Sequence, residues 1–234
     1  MSLKDKLLAQ RIYLLLGSLF IPSLVVSNLI FQTFFYWYPV DVEVFGSKLF
    51  EISVGILPYP ITFLITDLIS EIYGKKRAND IVVAGIFASL FSVGIILVAD
   101  SVPALDNSPL NDETFKFVFS KTIIAVGSSM FAYLFAQFID IRIYHFWKNL
   151  TKGKHLWLRN NCSTWISQFV DTLSIISLLC YFEVLPWSSF KGLLISGFLF
   201  KVLVAFLDTP FLYLGGYLFR KRFKLKVNEE TDIT

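Results

Sequence analysis

Six long apolar stretches constrain this chain more than any other feature of its sequence. They lie at approximately residues 12–36, 49–71, 81–99, 117–141, 163–182 and 190–219. A helix needs about 20 predominantly apolar residues to cross the hydrocarbon core of a bilayer. We therefore predict an all-α, polytopic membrane protein with six transmembrane helices, organised as a single six-helix domain over residues 1–234.

The composition agrees with a chain that is partly solvated by lipid. Hydrophobic residues make up 55% of the sequence and charged residues 17%, whereas an ordinary soluble domain is about 45–50% apolar and about 25% charged. The basic residues are divided among several short segments, a distribution that does not indicate nucleic-acid binding. We expect the lipid bilayer as a partner and no nucleic acid.

The placement of Lys and Arg predicts the orientation of the spans. Most of these residues fall in the N-terminal segment, in the loops after spans two and four, and in the C-terminal tail. The opposite loops hold few basic and several acidic residues. Because cytoplasmic loops carry the excess of Lys and Arg, we predict that both termini are cytoplasmic and that the chain lies in a bacterial cytoplasmic (inner) membrane.

Ionisable side chains within the predicted spans are the main candidates for function. Such groups are costly at membrane depth and usually face the protein interior or a water-filled cavity. On span two, a carboxylate pair at i and i+4 falls on one helical face, and span five carries a similar polar stripe. The candidates are Asp67, Glu71, Asp140, Asp171, Lys201 and Asp208.

Structural alternatives exist for these groups, because ion pairs could neutralise them. Glu71 could pair with Arg77 as an ordinary interfacial pair. Lys201 and Asp208 lie two helical turns apart, so they could pair with each other or with a neighbouring helix. Asp140 has Arg142 as a neighbouring cation. We therefore treat Lys201, Asp208 and Asp140 as coupling groups or structural ion pairs. For Asp171, its own span offers no cation.

Two prolines mark span two as unusual. Pro58 and Pro60 fall near the middle of the predicted span. Proline removes a backbone donor and clashes with the preceding turn, so we expect this span to be kinked or interrupted. Broken helices often mark substrate sites in transporters, although a packing kink is an equally acceptable interpretation.

A short similarity links spans four and five. The sequence AQFID at residues 136–140 is similar to SQFVD at residues 167–171. In both, a Gln and an Asp lie at i and i+3 on one helical face. An amide and a carboxylate together can complement a ligand with adjacent donors and acceptors, which makes Gln168 and Asp171 a candidate pair.

Catalytic and metal-binding patterns are absent from the sequence. It contains no HExxH, GxSxG, P-loop or dinucleotide fingerprint, so we predict no enzyme and no cofactor. Two histidines without clustered cysteines or carboxylates do not indicate a metal site. Without a nucleotide-binding motif, any transport must be secondary or powered by another subunit.

Two blocks of the sequence resemble a known family. Residues 59–78 (YPITFLITDLISEIYGKKRA) and a second block within residues 146–172 are similar to the signature of the queuosine precursor transporter family, in the vitamin uptake transporter group. Cys162 departs from the small residue, usually Gly, that the family pattern has there. The resemblance covers about residues 12–222.

The resemblance implies import of 7-cyano- or 7-aminomethyl-7-deazaguanine for salvage into the tRNA nucleoside queuosine. An alternative is a substrate-binding membrane subunit of a vitamin-type uptake system, with an energising subunit or a second copy as a partner. A guanine-like edge offers N–H donors to carboxylates, and amides can serve its carbonyl. The predicted substrate-binding residues are Asp67, Glu71, Gln168 and Asp171, with Asn28 and Gln32 as weaker candidates.

Overall fold

The computed structural model describes residues 3–37, 41–44, 47–152, 154–226, 229 and 231 of the chain. Within these residues it contains six helices that are long and apolar enough to cross a membrane, which confirms the predicted all-α, six-span fold. The helices are α1 (Leu3–Ile30), α2 (Tyr59–Ile72), α3 (Gly74–Asp100), α4 (Asp112–Leu150), α5 (Leu156–Tyr181) and α6 (Phe190–Phe223).

Two short β-ribbons, which the sequence did not predict, connect α1 to α2. Strand β1 (Phe34–Tyr36) pairs antiparallel with β4 (Glu51–Ser53), and β2 (Glu43–Val44) pairs with β3 (Ser47–Lys48). We name the end of the bundle that carries these ribbons the hairpin end. The opposite end, where α1 begins and α6 ends, is the terminal end.

The ends of the predicted spans differ from those of the helices. The first span was predicted over residues 12–36, but α1 begins at Leu3 and ends at Ile30, since the following aromatic residues form β1. The fourth was predicted over 117–141, yet α4 runs from Asp112 to Leu150. Hydropathy detects the part of a helix that lies in lipid, whereas hydrogen bonding continues through the polar turns at both ends.

The prolines of span two begin a helix, which corrects the prediction that they lie near the middle of one. A 3₁₀ turn, Val54–Ile56, comes first, and α2 then starts at Tyr59 with Pro60 in its first turn. Proline is tolerated there because the first helical N–H groups have no intrahelical acceptor. The apolar stretch is therefore interrupted, and its first part belongs to β4 and the 3₁₀ turn.

The connection from α2 to α3 is almost absent. Tyr73 ends α2, and Gly74 begins α3 with a φ of 84°. That left-handed conformation is readily adopted only by glycine, so the chain can reverse direction within one residue. The reversal is tied to α1, because the Tyr73 hydroxyl donates a 2.9 Å hydrogen bond to the Ala9 carbonyl.

Helix α2 forms the centre of the bundle. It is the most buried of the six spanning helices in the described ranges, and α3 is the least buried. At Gly215 of α6, a Cβ atom would come within 2.7 Å of a Leu68 methyl group, so the absence of a side chain allows α6 to approach α2 closely. Large apolar side chains such as Phe87, Phe91 and Phe131 are exposed on the outer helices, as expected where lipid is the solvent.

Candidate functional site

Two cavities follow one another along the interior of the bundle. The hairpin-side cavity has about 830 Å³ of empty space and the inner cavity about 380 Å³, and both figures include the open mouth of the cavity. Three residues line both cavities, namely Ile56, Tyr59 and Lys201.

An ion-pair cluster lies at the boundary between the two cavities. The Lys201 ammonium is 2.5 Å from Asp171 Oδ2, and the Tyr59 hydroxyl donates a 3.0 Å hydrogen bond to the same oxygen. The ammonium also lies 4.5 Å from the centroid of the Tyr59 ring. Asp171 and Lys201 are both buried, so the cluster holds α2, α5 and α6 together with its charges balanced.

This pairing selects between the alternatives that the sequence left open for Lys201. The lysine contacts a carboxylate on the neighbouring helix α5, and no contact joins it to Asp208 on its own helix among the described residues. Asp171, which has no cation on its own span, obtains one from α6. The partners lie 30 residues apart in sequence, so helical spacing could not reveal them.

Buried acceptors without partners line the inner cavity. Asp67 is 6% exposed, and no hydrogen bond or ion pair to its carboxylate occurs within the described residues. Gln168 Oε1 and Thr164 Oγ1 are also buried without a hydrogen-bond partner in this part of the chain. Buried polar groups are nearly always hydrogen-bonded, so the inner cavity offers acceptors that a ligand can satisfy.

Aromatic rings form part of the inner cavity wall. Tyr59, Phe63 and Phe200 all line it, and the rings of Tyr59 and Phe63 lie 5.5 Å apart between centroids. Tyr133 packs edge-on against both of them, at 6.3 Å. A flat heterocycle can pack against such a surface.

Glu71 lies one helical turn beyond Asp67 but is not in either cavity lining. Its carboxylate pairs with Arg220 of α6 and accepts a 2.7 Å hydrogen bond from the Tyr144 hydroxyl. The expected alternative partner, Arg77, instead lies 3.8 Å from Asp80. The alternative of an interfacial pair with Arg77 therefore does not form in this structure, because α6 brings a cation from the other end of the chain.

Asp140 likewise lies outside both cavities. It is buried against α5 and accepts a 2.9 Å hydrogen bond from the Ser167 hydroxyl. No ion pair with Arg142 occurs in the described part of the chain. Of the repeated Gln and Asp pair on α5, Gln168 lines the inner cavity and Asp171 the hairpin-side cavity, so the two side chains serve different spaces.

The two weaker candidates from α1 have different positions. Asn28 lines the hairpin-side cavity, and its side-chain amide donates to the Leu24 carbonyl at 3.2 Å. Gln32 follows the end of α1 and donates to the Val118 carbonyl of α4 at 2.5 Å. It lines neither cavity, so the structure does not bring Gln32 together with the other predicted residues.

Several residues that shape the cavities escaped sequence reasoning. Phe63 and Phe200 look like ordinary span residues in a chain with 25 phenylalanines, and nothing local distinguishes them. Glu51 lines the hairpin-side cavity because β4 folds back over the bundle. Within the described ranges, no three His, Cys, Asp or Glu side chains come together as metal ligands.

Comparisons with known proteins agree with these features. The model of a family described as "Putative vitamin uptake transporter" matches residues 53–215 of the chain. A protein named "Probable queuosine precursor transporter" from Bacillus subtilis (strain 168) is 26% identical over 173 residues, which cover 74% of this chain and 73% of that protein. No solved structure matches the chain significantly. The chain therefore belongs to the vitamin uptake transporter family, and it is a multi-pass membrane transporter rather than an enzyme.

Proposed function

We propose that this transporter imports queuosine precursors, 7-cyano- or 7-aminomethyl-7-deazaguanine, across a bacterial cytoplasmic membrane. The terminal end would face the cytoplasm, as the basic loops predict. The observation that carries the proposal is the set of buried, unpartnered acceptors beside aromatic rings in the inner cavity. The name of the Bacillus subtilis relative supports the same substrate class.

The chemistry of a 7-deazaguanine matches the residues of the inner cavity. One edge of the ring presents two adjacent N–H donors, which a carboxylate such as Asp67 can accept together. The Thr164 hydroxyl can donate to the ring carbonyl, and Gln168 Oε1 can accept a hydrogen bond from a further N–H of the ring. The faces of the ring would pack against Tyr59, Phe63 or Phe200.

The route to this cavity would pass the boundary cluster. A base that enters the hairpin-side cavity meets Asn28 at its wall and Asp171, Lys201 and Tyr59 at its base. We propose that the precursor reaches Asp67 when the contacts of this cluster rearrange. Asp171 would bind the base edge transiently as the precursor moves to the inner cavity. Glu71 would hold α2 and α6 together and would not contact the base.

Rescue of tRNA modification tests the proposed function. Cells that can neither make nor import the precursor would be given this chain and external 7-deazaguanines, and queuosine in tRNA would be measured. Wild-type chain is expected to restore the modification, and Asp67→Asn is expected to reduce it strongly. Asp80→Asn is the matched control, because that carboxylate is exposed and lies outside the cavities.

The possible results separate the function from the site. Failure of the wild-type chain at normal expression would contradict the substrate. Equal rescue by wild type, Asp67→Asn and Asp171→Asn would retain the substrate and contradict the binding site.

Purified chain in liposomes distinguishes a secondary transporter from a substrate-binding subunit. We expect uptake without ATP or an added subunit. Uptake that requires an energising module would favour the alternative.

A further inference from the structure

Asp208 is a second carboxylate in the lining of the inner cavity, and the base edge described above does not use it. It lies on α6, whereas Asp67 lies on α2, so the two approach the cavity from different walls. No hydrogen bond or ion pair to Asp208 occurs within the described residues.

Among the described residues that line the cavity, no cation is left for this second carboxylate. Lys201 is the basic residue in its lining, and its ammonium lies 2.5 Å from Asp171 Oδ2. A neutral base whose N–H edge binds Asp67 leaves Asp208 without a donor. Asp208 is only partly buried, but it lines the cavity, and a carboxylate makes its strongest hydrogen bonds to charged donors, so a ligand that carries its own positive charge fits this cavity better.

Evidence that a ligand belongs here does not depend on the acids alone. Thr164 and Gln168 are each less than 5% exposed, at 4% and 2%, and both line the same cavity. Thr164 Oγ1 and Gln168 Oε1 have no hydrogen-bond partner in the described part of the chain. A polar ligand can satisfy these atoms whether or not Asp208 contributes.

We propose that Asp208 binds an ammonium group on the substrate, so that the transporter prefers 7-aminomethyl-7-deazaguanine to 7-cyano-7-deazaguanine. A primary alkylamine is protonated at neutral pH, as the lysine side chain is. A nitrile is uncharged and has no hydrogen to donate. In this arrangement Asp67 would contact the base edge and Asp208 the 7-substituent of the same ring. This inference rests on the proposed function.

Transport by purified chain in liposomes, with both labelled precursors, tests the inference. For wild type we expect the aminomethyl compound to be taken up about tenfold more efficiently, as one charge-assisted hydrogen bond would give. Asp208→Asn should remove most of this preference while uptake of the cyano compound changes less than about twofold. Asp208→Glu should keep the preference, and Asp106→Asn, in an exposed loop, is the matched control.

Competition on the wild-type chain keeps the inference falsifiable if the variants fail to fold. Unlabelled 7-methyl-7-deazaguanine is similar in size to the aminomethyl compound but uncharged. The aminomethyl compound should compete about tenfold better than the methyl compound.

Three results would overturn the inference. They are equal competition by the methyl and aminomethyl compounds, an unchanged preference in Asp208→Asn, and an equal loss of both substrates in that variant. In each case a wild-type chain that transports either compound leaves the proposed function standing. A wild-type chain that transports neither compound overturns both.

Discussion

Two carboxylates on one face of α2, a single helical turn apart, have opposite surroundings. Glu71 is fully buried, and its partners include the Arg220 guanidinium and the Tyr144 hydroxyl. Asp67 is also buried, yet it faces a cavity and has no partner among the described residues. Their spacing in the sequence predicts the same surroundings for both carboxylates, whereas the packing of the other helices gives a partner cation to Glu71 and a cavity to Asp67.

The difference separates a structural acid from a candidate binding acid. A buried charge with a complete set of partners contributes to the folded state, and removal of one partner leaves the other uncompensated. A buried charge without partners costs stability in the empty protein and can regain it when a ligand supplies donors. Mutations at the two positions should therefore affect different measurements.

The largest effect is expected from Glu71→Ala. This change leaves the Arg220 guanidinium and the Tyr144 hydroxyl without their acceptor, which should destabilise the protein by about 3–5 kcal/mol. Thermal unfolding of the purified chain in detergent would measure the loss. Asp80→Ala breaks the exposed pair with Arg77 and should cost less than about 1 kcal/mol. An equal stability of both variants would remove the structural assignment of Glu71.

Asp67→Asn should lower substrate affinity without lowering stability, which is the opposite of the effect expected for Glu71→Ala. The substitution removes a carboxyl group that has no partner among the described residues, so the free energy of unfolding should stay the same or rise. Loss of a hydrogen bond to a charged group costs about 1.5–3 kcal/mol, so substrate affinity should fall about 10- to 150-fold. Substrate binding and thermal unfolding of the same preparation would check both parts. If the variant were destabilised but kept its substrate affinity, Asp67 would have a structural role like that of Glu71 and would not bind substrate.

Tyr59→Phe should give an intermediate effect at the boundary cluster. The change removes the hydroxyl that donates to Asp171 and keeps both the ring and the Lys201 ion pair. We expect a loss of about 1–2 kcal/mol in stability, together with faster exchange of substrate between the two sides of liposomes. Unchanged exchange would show that this hydroxyl does not restrain the boundary.

The smallest effect is expected from Asp5→Ala at the terminal end. Arg222 lies two residues beyond Arg220 on α6, and its guanidinium is 3.0 Å from Asp5 Oδ1. Both side chains reach solvent, and exposed ion pairs contribute about 0–1 kcal/mol. Thermal unfolding at low and high salt would detect this contribution. A loss as large as that of Glu71→Ala would mean that burial does not decide the strength of these pairs.

The membrane fold could be predicted from the sequence because hydropathy is a local property. Six apolar stretches gave six spanning helices, and Pro58 and Pro60 marked the irregular one. Their exact place was wrong because proline is compatible with both a helix start and a kink. The β1–β4 ribbon was missed because three-residue strands leave no periodic pattern.

The site was only partly predictable, because its contacts join distant parts of the chain. The types of residue in the inner cavity, such as Asp67 and Gln168, followed from polarity at membrane depth. Their separation from Glu71 did not, since Arg220 is 149 residues away from that acid. In the sequence, Arg220 is one of several basic residues that indicate the orientation of the chain, and no local signal marks it as the partner of a buried acid.

The shortness of α2 changes how an electrical potential acts inside the protein. Its 14 residues rise about 21 Å, whereas the hydrocarbon core is about 30 Å thick. Water and ions that enter the hairpin-side cavity carry the potential of that side down to Tyr59. The membrane voltage then falls across a thinner layer. Moving one elementary charge across the whole of that layer changes its energy by about 2.3 kcal/mol for each 100 mV. A charged solute would meet most of that field within the inner cavity, beyond the boundary cluster.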